Sequence, residues 1–313
     1  MVQVTGAFDT YEAIGNREDL INQIFDISPT DTPFMSGIAR NSATATIHEW
    51  QTDTLATAAQ NAQLEGDETT RAASLPTTRL NNVAQIASKD ATVTGTQDVV
   101  NKAGRTREMA YQMMKRTKEL KRDMENDLLD ANAKVSGDAT TARELAGIES
   151  WIATNRDTGA TGTDPTGDGT DVGSDGTPRA ITEDILSTVL KDVFDSGGNP
   201  DTILVGSALK QAISDFTGRA QARTSVPNET IQASASFYAG DFGDQKVIPD
   251  RFMVQTSMLV LEMDLWAVSF LRAFVNFPLG KVGDADTRVI LSEYTLEARN
   301  ESGSGIAVAL TAS

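Results

Sequence analysis

The spacing of apolar residues predicts one long amphipathic helix in the first half of the chain. Between residues 104 and 136, apolar side chains recur three or four positions apart: Met109, Met113, Leu120, Met124, Leu128, Ala131 and Val135. Such a helix would extend about 50 Å at about 1.5 Å per residue. Two pairs, Lys115–Glu119 and Lys121–Glu125, are spaced to form ion pairs on its polar side. A helix this long with a narrow apolar stripe indicates a strut that neighbouring chains share.

The same periodicity predicts three shorter helices. The first covers residues 141–154, the second covers residues 182–195 with Thr182 as its N-cap, and the third covers residues 207–216. The third helix follows residues 201–206, a short apolar run that is typical of a buried strand. We therefore predict a βα unit over residues 201–216.

Two strand-like segments flank a long polar stretch. Thr, Ile and Trp are frequent at residues 43–54, which we interpret as a strand, and a second strand is predicted at residues 82–94. About 28 residues lie between them, mostly small and polar, with an acidic spot at residues 65–68. A loop of this length without a core of its own is uncommon and usually functional. We therefore expect a long hairpin that lies on another chain.

The last quarter of the chain reads as strands, which gives a mixed α+β fold without an internal repeat. The predicted strands are residues 247–248, 252–254, 258–261, 266–277, 287–299 and 306–310. Two segments show no core-forming pattern. Residues 1–42 carry Pro29 and Pro33 and are predicted to be an irregular arm without a core helix. Residues 158–177 are rich in Gly, Asp and Thr and are predicted to be a solvated surface loop.

Composition excludes several classes of site. The chain has 313 residues, a formal net charge of −17, one His and no Cys. Its length suggests about two domains. The acidic excess argues against general nucleic-acid binding, and the absence of Cys removes disulfides and thiolate metal sites. No secretory signal or apolar span is recognisable, so we expect a soluble product made in the cytoplasm, with no segment removed ahead of Met1.

Residues with catalytic or metal-binding chemistry form no recognisable motif. Asp157–Gly159 has the letters of an aspartic-protease triplet but lies in a Gly/Thr loop, and His48 favours a cross-strand polar contact. Four aspartates could offer oxygen ligands to Ca²⁺: Asp164, Asp168, Asp171 and Asp175. Their spacing differs from that of calcium-binding loops. We therefore assign no catalytic, cofactor-binding or metal-ligating residue and expect no cofactor and no enzyme activity.

Arm, hairpin and strut each leave surface that a neighbouring chain could cover. This layout resembles the major capsid proteins of tailed bacteriophages, which have the Hong Kong 97 fold. Several stretches are similar to one major head protein family within that fold: Gly15–Leu20, Ile27–Phe34, His48–Leu55, Pro249–Met253 and Glu293–Glu301. Their order and spacing extend the resemblance over nearly the whole chain.

The resemblance implies an assignment of regions. Residues 1–42 would be the N-terminal arm and residues 43–93 the E-loop hairpin. Residues 94–180 would be the P-domain, with the spine helix at 104–136. Residues 181–260 would be the A-domain, and residues 261–313 would return to the P-domain.

The implied function is a major capsid protein that assembles into hexamers and pentamers of an icosahedral head around double-stranded DNA. The implied partners are other copies of the chain, a separate scaffolding protein, a portal protein and an additional decoration protein. DNA would be enclosed without sequence-specific binding, and no membrane is involved. The protein would be located in the virion, and in the host cytoplasm during assembly.

Two alternatives remain open from the sequence. One is a nanocompartment shell with the same fold. The other is a soluble α+β enzyme or ligand-binding protein built on the βα unit at residues 201–216.

In some shells of this fold, a covalent bond between a Lys of the hairpin and an Asn of a neighbouring subunit links the subunits. No Lys occurs from residue 51 to residue 88, so we expect no such covalent link in this protein.

Overall fold

The computed structural model describes residues 28–66, 74, 76–216 and 236–312. The helices in these ranges are α1 (Pro33–Gly37), α2 (Gly95–Val99), α3 (Glu108–Leu129), α4 (Glu183–Asp195) and α5 (Ser207–Ser214). The strands are β1 (Ala39–Ser42), β2 (Ile47–Thr52), β3 (Thr78–Val83), β4 (Gln85–Thr94), β5 (Arg156–Asp157), β6 (Arg179–Ala180), β7 (Thr202–Val205), β8 (Phe237–Gly240), β9 (Gly243–Pro249), β10 (Met258–Leu261), β11 (Trp266–Pro278), β12 (Ala285–Ala298), β13 (Gly305–Ala307) and β14 (Leu310–Thr311). The α+β class predicted from the sequence is confirmed.

A four-stranded sheet with helix α3 on one face forms the first half of the body. Its strand order is β1-β11-β12-β4, with β1 parallel to β11 and the other pairs antiparallel. Leu120, Met124 and Leu128 of α3 are fully buried in one cluster with Tyr294 and Leu296 of β12. The apolar stripe predicted for the long helix is therefore the surface that packs on this sheet.

A six-stranded sheet forms the second half, in the order β5-β13-β10-β7-β9-β8. Helix α4 packs on it through Val189, Leu190 and Val193. The Thr182 hydroxyl accepts a hydrogen bond from the Ile185 amide and caps α4, as predicted. The βα unit predicted at residues 201–216 is also present, because the wholly buried strand β7 leads directly into α5.

The hairpin predicted between residues 43 and 94 is divided between two sheets. Strands β2 and β3 pair only with each other, from Ile47 opposite Val83 to Thr52 opposite Thr78. At Ala84 the chain bends, and its amide donates to the Thr46 carbonyl at 2.8 Å. The following strand, β4, pairs with β12 in the four-stranded sheet. The single strand predicted at 82–94 is thus two strands with different partners.

The long helix is shorter than predicted. It covers 22 residues, or about 33 Å at about 1.5 Å per residue, rather than residues 104–136. At its start, the Asp98 carboxylate accepts the Glu108 amide at 3.1 Å. Beyond its end, Val135 and Glu144 exchange backbone hydrogen bonds as an antiparallel bridge. The chain leaves the helix early because its backbone groups find partners in another segment.

Two of the predicted shorter elements are wrong. Residues 141–154 contain a single 3-10 turn, Ile148–Ser150, instead of a helix. The Ala146 amide donates to the Asn82 side chain and the Gly147 amide donates to the Asn132 carbonyl, so neither takes part in a helical ladder. Residues 252–254, predicted as a strand, form a bend.

The predicted i,i+4 ion pairs on the long helix are also wrong. Glu119 pairs with Arg116 at 2.7 Å rather than with Lys115. Glu125 is buried and binds backbone amides of α1 rather than Lys121.

The predicted arm is partly built into the body. Residues 1–27 of this predicted arm lie outside the described part of the chain. Residues 33–42 are not irregular, since they form α1 and then β1 at the edge of the four-stranded sheet. Phe34 and Met35 are buried against α3, so the expectation of no core helix before residue 43 is wrong.

Candidate interaction surfaces

The base of the β2–β3 hairpin is fixed to the body by Asn82. This side chain is fully buried, and its amide nitrogen donates to the Ala146 and Leu296 carbonyls at 3.2 and 2.8 Å. Its oxygen accepts the amides of Ala146 and Val83. One side chain therefore satisfies backbone groups of three separate segments, which sets the direction in which the hairpin leaves the body.

His48 contributes a second connection at the same base. Its Nε2 lies 3.2 Å from Oε2 of Glu297 on β12, and that oxygen also accepts from Asn41 and Ser269 at 3.0 Å each. Burial alone would raise the pKa of Glu297, but its hydrogen bonds, the one from Arg299 included, outweigh burial and lower that pKa. The predicted polar role of His48 is correct, although its partner lies in another sheet rather than on the paired strand.

The loop at residues 158–177, which is rich in Gly, Thr and Asp, packs against the base of the hairpin. Trp50 of β2 contacts Trp151, with 5.3 Å between ring centroids. Gly169 lies so close to the Trp151 indole that an added Cβ would be 2.9 Å from it. The Lys134 ammonium donates to the Asp168 carbonyl at 2.7 Å and to the Asn81 carbonyl at 3.0 Å. The prediction that residues 158–177 form a purely solvated loop is therefore wrong for this turn, which sequence composition alone did not reveal.

Beyond its base, the described residues of the hairpin, 53–66, show no contact that would hold them to the body. Residues 53–66 form neither helix nor strand, and every one of them is exposed. Leu55 is 99% exposed and Leu64 is 79% exposed. Of the predicted acidic spot, Glu65 is exposed, while residues 67 and 68 lie outside the described part. Two large apolar side chains thus stand in solvent on an extended segment.

A second apolar surface lies on the four-stranded sheet, on the face opposite α3. Lys89 marks the α3 side, because its ammonium lies 2.6 Å from Asp123 of that helix. Side chains alternate along a strand, so neighbours of the residues facing α3 point the other way. On this opposite side, which we call the far sheet face, lie three exposed apolar residues: Ile86, Val275 and Phe277.

The far sheet face continues a surface that other segments of the same chain cover. Glu293, opposite Ile86 in the register, is covered by Arg143, which lies outside the hairpin, at 2.5 Å. Glu297, further along β12, is covered by His48 of the hairpin base. Towards the β11–β12 turn this cover stops, and Val275 and Phe277 are 45% and 37% exposed. Among the described residues, one half of this sheet face is therefore covered within the chain and the other half is not.

The predicted candidate chemistry does not assemble into a reactive site. Asp157 forms an ion pair with Arg179 at 2.7 Å. Asp168 and Asp171 accept hydrogen bonds from Thr166, and Asp175 lies 3.8 Å from Arg156. In the described ranges, no group of three or more His, Cys, Asp or Glu side chains is placed to hold a metal ion.

The βα unit lines part of a cleft of about 800 Å³ between α1 and the six-stranded sheet. The lining includes Thr202 of β7, Lys210 of α5 and Pro249 at the carboxyl end of β9. Among the described residues, no group of three or more His, Cys, Asp or Glu side chains is placed there to hold a metal ion. The described geometry therefore gives no specific support to the enzyme or ligand-binding alternative. Among the described helices, none is both long and apolar enough to span a bilayer.

The chain is similar over part of its length to a curated phage protein. The major capsid protein of Escherichia phage Phieco32 is 39% identical over 128 residues. The aligned region is 41% of this chain and 36% of that protein.

Solved capsid structures share the fold across nearly the whole chain. The capsid of a native GTA particle matches with a TM-score of 0.62 and 11% identity, over 96% of each chain. A structure from Mycobacterium phage Bobi matches with a TM-score of 0.61 and 11% identity, over 94% of this chain and 95% of that one. These matches confirm the predicted Hong Kong 97-type fold.

The family is decided by a match along the sequence itself. A family model described as the SU10 major capsid protein matches residues 3–311, which leaves only two residues unmatched at each end. The predicted resemblance to phage major capsid proteins is confirmed. The chain belongs to the SU10 major capsid protein family.

Proposed function

We propose that this major capsid protein assembles as hexamers and pentamers into an icosahedral phage head that encloses double-stranded DNA. Copies of one chain that close into a shell need surfaces that are complementary to other copies of the same chain. The observation that carries the proposal is the exposed segment 53–66, because its leucines have no partner within the described subunit.

We propose that residues 53–66 of one copy cover the far sheet face of a neighbouring copy. The segment offers Leu55 and Leu64, and the face offers Val275, Phe277 and Ile86. Burying such side chains contributes about 25 cal/mol per Å² of apolar area removed from water. The hairpin base, together with Arg143, already covers the adjacent half of this face within the same chain, so the neighbour's segment would continue one layer over the whole sheet.

The regional assignment follows from the same proposal. Residues 1–42 are the N-terminal arm, 43–93 the E-loop hairpin, 94–180 the P-domain, 181–260 the A-domain and 261–313 the returning strands. Within this scheme the arm and the hairpin each donate one strand to the P-domain sheet, since β1 and β4 lie at its two edges.

Assembly also involves partners other than the chain itself. We propose a separate scaffolding protein and a portal protein, with a decoration protein on the outer surface, and assembly in the host cytoplasm before the protein resides in the virion. The net charge of −17 supports enclosure of DNA without sequence-specific binding, because an acidic wall repels phosphate.

The double variant Leu55→Ser/Leu64→Ser tests the proposed contact. Both side chains are exposed in the subunit, so its melting temperature should stay within about 2 °C of the parent. Closed shells in electron micrographs should nevertheless be lost. Phe277→Ser, on the opposite side of the contact, should give the same defect, whereas Gln60→Ser in the same segment should assemble normally.

Two outcomes would argue against the proposal. Normal shells from both Leu and Phe variants would remove this contact from assembly. Loss of the folded subunit in the double Leu variant would show that the segment stabilises the monomer instead.

A further inference from the structure

A buried carboxylate holds the end of the arm to the body. Glu125 of α3 is fully buried, and its two oxygens accept the backbone amides of Phe34 and Met35 at 2.7 and 2.8 Å. These amides belong to the first turn of α1, where no helical carbonyl is available to them. In α1, which we call the arm root, the amides of Phe34 and Met35 therefore depend on Glu125 for their hydrogen bonds.

A second buried carboxyl group lies beside the first. Asp250 follows strand β9 and is 2% exposed. Its Oδ1 accepts the Phe252 amide at 2.8 Å, while its Oδ2 is buried and finds no donor in the described part of the chain. The side chains of Asp250 and Glu125 form a hydrogen bond with each other. Two carboxyl groups can do so only if one of them carries a proton, and Oδ2 of Asp250 is the oxygen left without a donor.

Among the residues that the structure describes, no cation is positioned to neutralise the pair. Arg122, one turn before Glu125, lies over the Phe252 ring at 5.5 Å and forms no ion pair with either carboxyl group in the described structure. Arg251 is exposed to solvent. The arm root, with the sequence Pro-Phe-Met-Ser-Gly, has no titratable side chain. Two ionised carboxylates would therefore repel each other inside the protein.

We propose that one proton shared by Asp250 and Glu125 couples the arm root to the body, and that its loss releases this contact. With the proton on Oδ2, Asp250 donates to Glu125, which keeps both of its oxygens available to the amides of Phe34 and Met35. Without the proton, repulsion separates α3 from the segment after β9 and opens the arm root.

The direction of the pH dependence follows from the pKa shifts. Burial raises the pKa of Glu125 to about 8, and burial also raises the pKa of Asp250. A carboxyl whose pKa is raised by folding favours the folded contact at low pH and loses that contribution as pH rises through the raised pKa. Opening should therefore become about tenfold more favourable for each pH unit above about 8, as expected for one proton.

Amide hydrogen exchange at Phe34 and Met35 in the full chain measures this opening. Protection factors, corrected for intrinsic exchange, are compared from about pH 6 to about pH 9.5. In the parent they should fall about tenfold per pH unit above about 8. Asp250→Asn places an amide donor where Oδ2 lies and keeps the acceptor for Phe252, so its protection should not change with pH. Glu119→Gln, a surface glutamate on the same helix, should behave as the parent does.

Either of two results would overturn the proposal. One is protection in the parent that stays constant through pH 8, and the other is an Asp250→Asn profile that falls as the parent's does. If Asp250→Asn does not fold, Asp250→Ala serves instead, since it also removes the second carboxyl group, leaves both Glu125 oxygens to the amides of Phe34 and Met35, and should give a flat profile. The experiment uses the free subunit, so its result is independent of whether the arm or the hairpin contacts other copies.

Discussion

The two ends of the hairpin differ in how they are held. At the base, Asn82 and His48 reach into the body and bind groups on β12 and on the segment around Ala146. Further out, the side-chain hydrogen bonds of residues 53–66 to other described residues stay within their own segment, such as Gln63 to Asn61. The base is therefore a part of the folded subunit, and the outer segment is not.

This difference separates folding from assembly along one stretch of chain. Polar side chains with several fixed partners specify the base within the monomer. Leu55 and Leu64 are exposed in the described subunit, and under the proposed assembly another copy of the chain covers them. Substitutions at the base should therefore affect stability of the free subunit, while substitutions in the outer segment should affect only the shell.

The largest effect on the subunit is expected from Asn82→Ala. This change leaves buried donors and acceptors on Ala146, Val83 and Leu296 without a partner, and should lower the free energy of unfolding by about 3 kcal/mol. Denaturant unfolding of the free subunit measures it. Asn61→Ala, the same substitution in the outer segment, should change stability by less than about 0.5 kcal/mol. Equal effects of the two variants would contradict the distinction between base and outer segment.

A smaller, pH-dependent effect is expected at Glu297. Because folding lowers the pKa of this carboxyl, its contribution is present above its ordinary value of 4.5 and is lost as pH falls through the lowered value. Acid should therefore weaken the connection from β12 to His48 and Asn41. In Glu297→Gln this part of the acid dependence should disappear, with a loss of about 1 to 2 kcal/mol at neutral pH. Parallel acid-unfolding curves for parent and variant would show that the carboxylate plays no such role.

The sequence correctly predicted those helices and strands whose conformation depends on their own residues. The Thr182 cap and the apolar spacing of α4 are sufficient for that helix, and the wholly apolar run of β7 marks a buried strand. The apolar stripe of α3 also predicted which face packs on the sheet. The resemblance to a known family predicted the whole fold, because the short stretches that carry it are spread along the chain in the same order.

Errors arose where distant partners override local spacing. Leu145, Ile148 and Trp151 have helical spacing, but the amides of Leu145 and Ala146 bind the Gln85 and Asn82 side chains instead of helical carbonyls. Glu125 is spaced to pair with Lys121, yet the amides of α1 bind it some 90 residues away. The exposed far sheet face was not predicted either. Apolar and polar residues alternate in the same way along a strand whether or not another segment covers that face, so the sequence does not distinguish the two cases.

The last prediction concerns the smallest expected effect: we expect no covalent link between the hairpin and a neighbouring subunit. Lys89, the first Lys after residue 51, lies in β4 of the four-stranded sheet, where it forms an ion pair with Asp123. Particles boiled in detergent should therefore give a single band near 33.5 kDa. A ladder of multimers would show that another residue of the outer segment reacts with a neighbour.

The comparison between hairpin base and outer segment is tested most directly by hydrogen exchange on free subunits and on assembled shells. Amides of β2 and β3 should be protected in both states, because their ladder and the Asn82 contacts belong to the subunit. Amides of residues 53–66 should exchange freely in the subunit and become protected by at least about tenfold in the shell. Strong protection of residues 53–66 in the free subunit, or no gain of protection on assembly, would contradict the account.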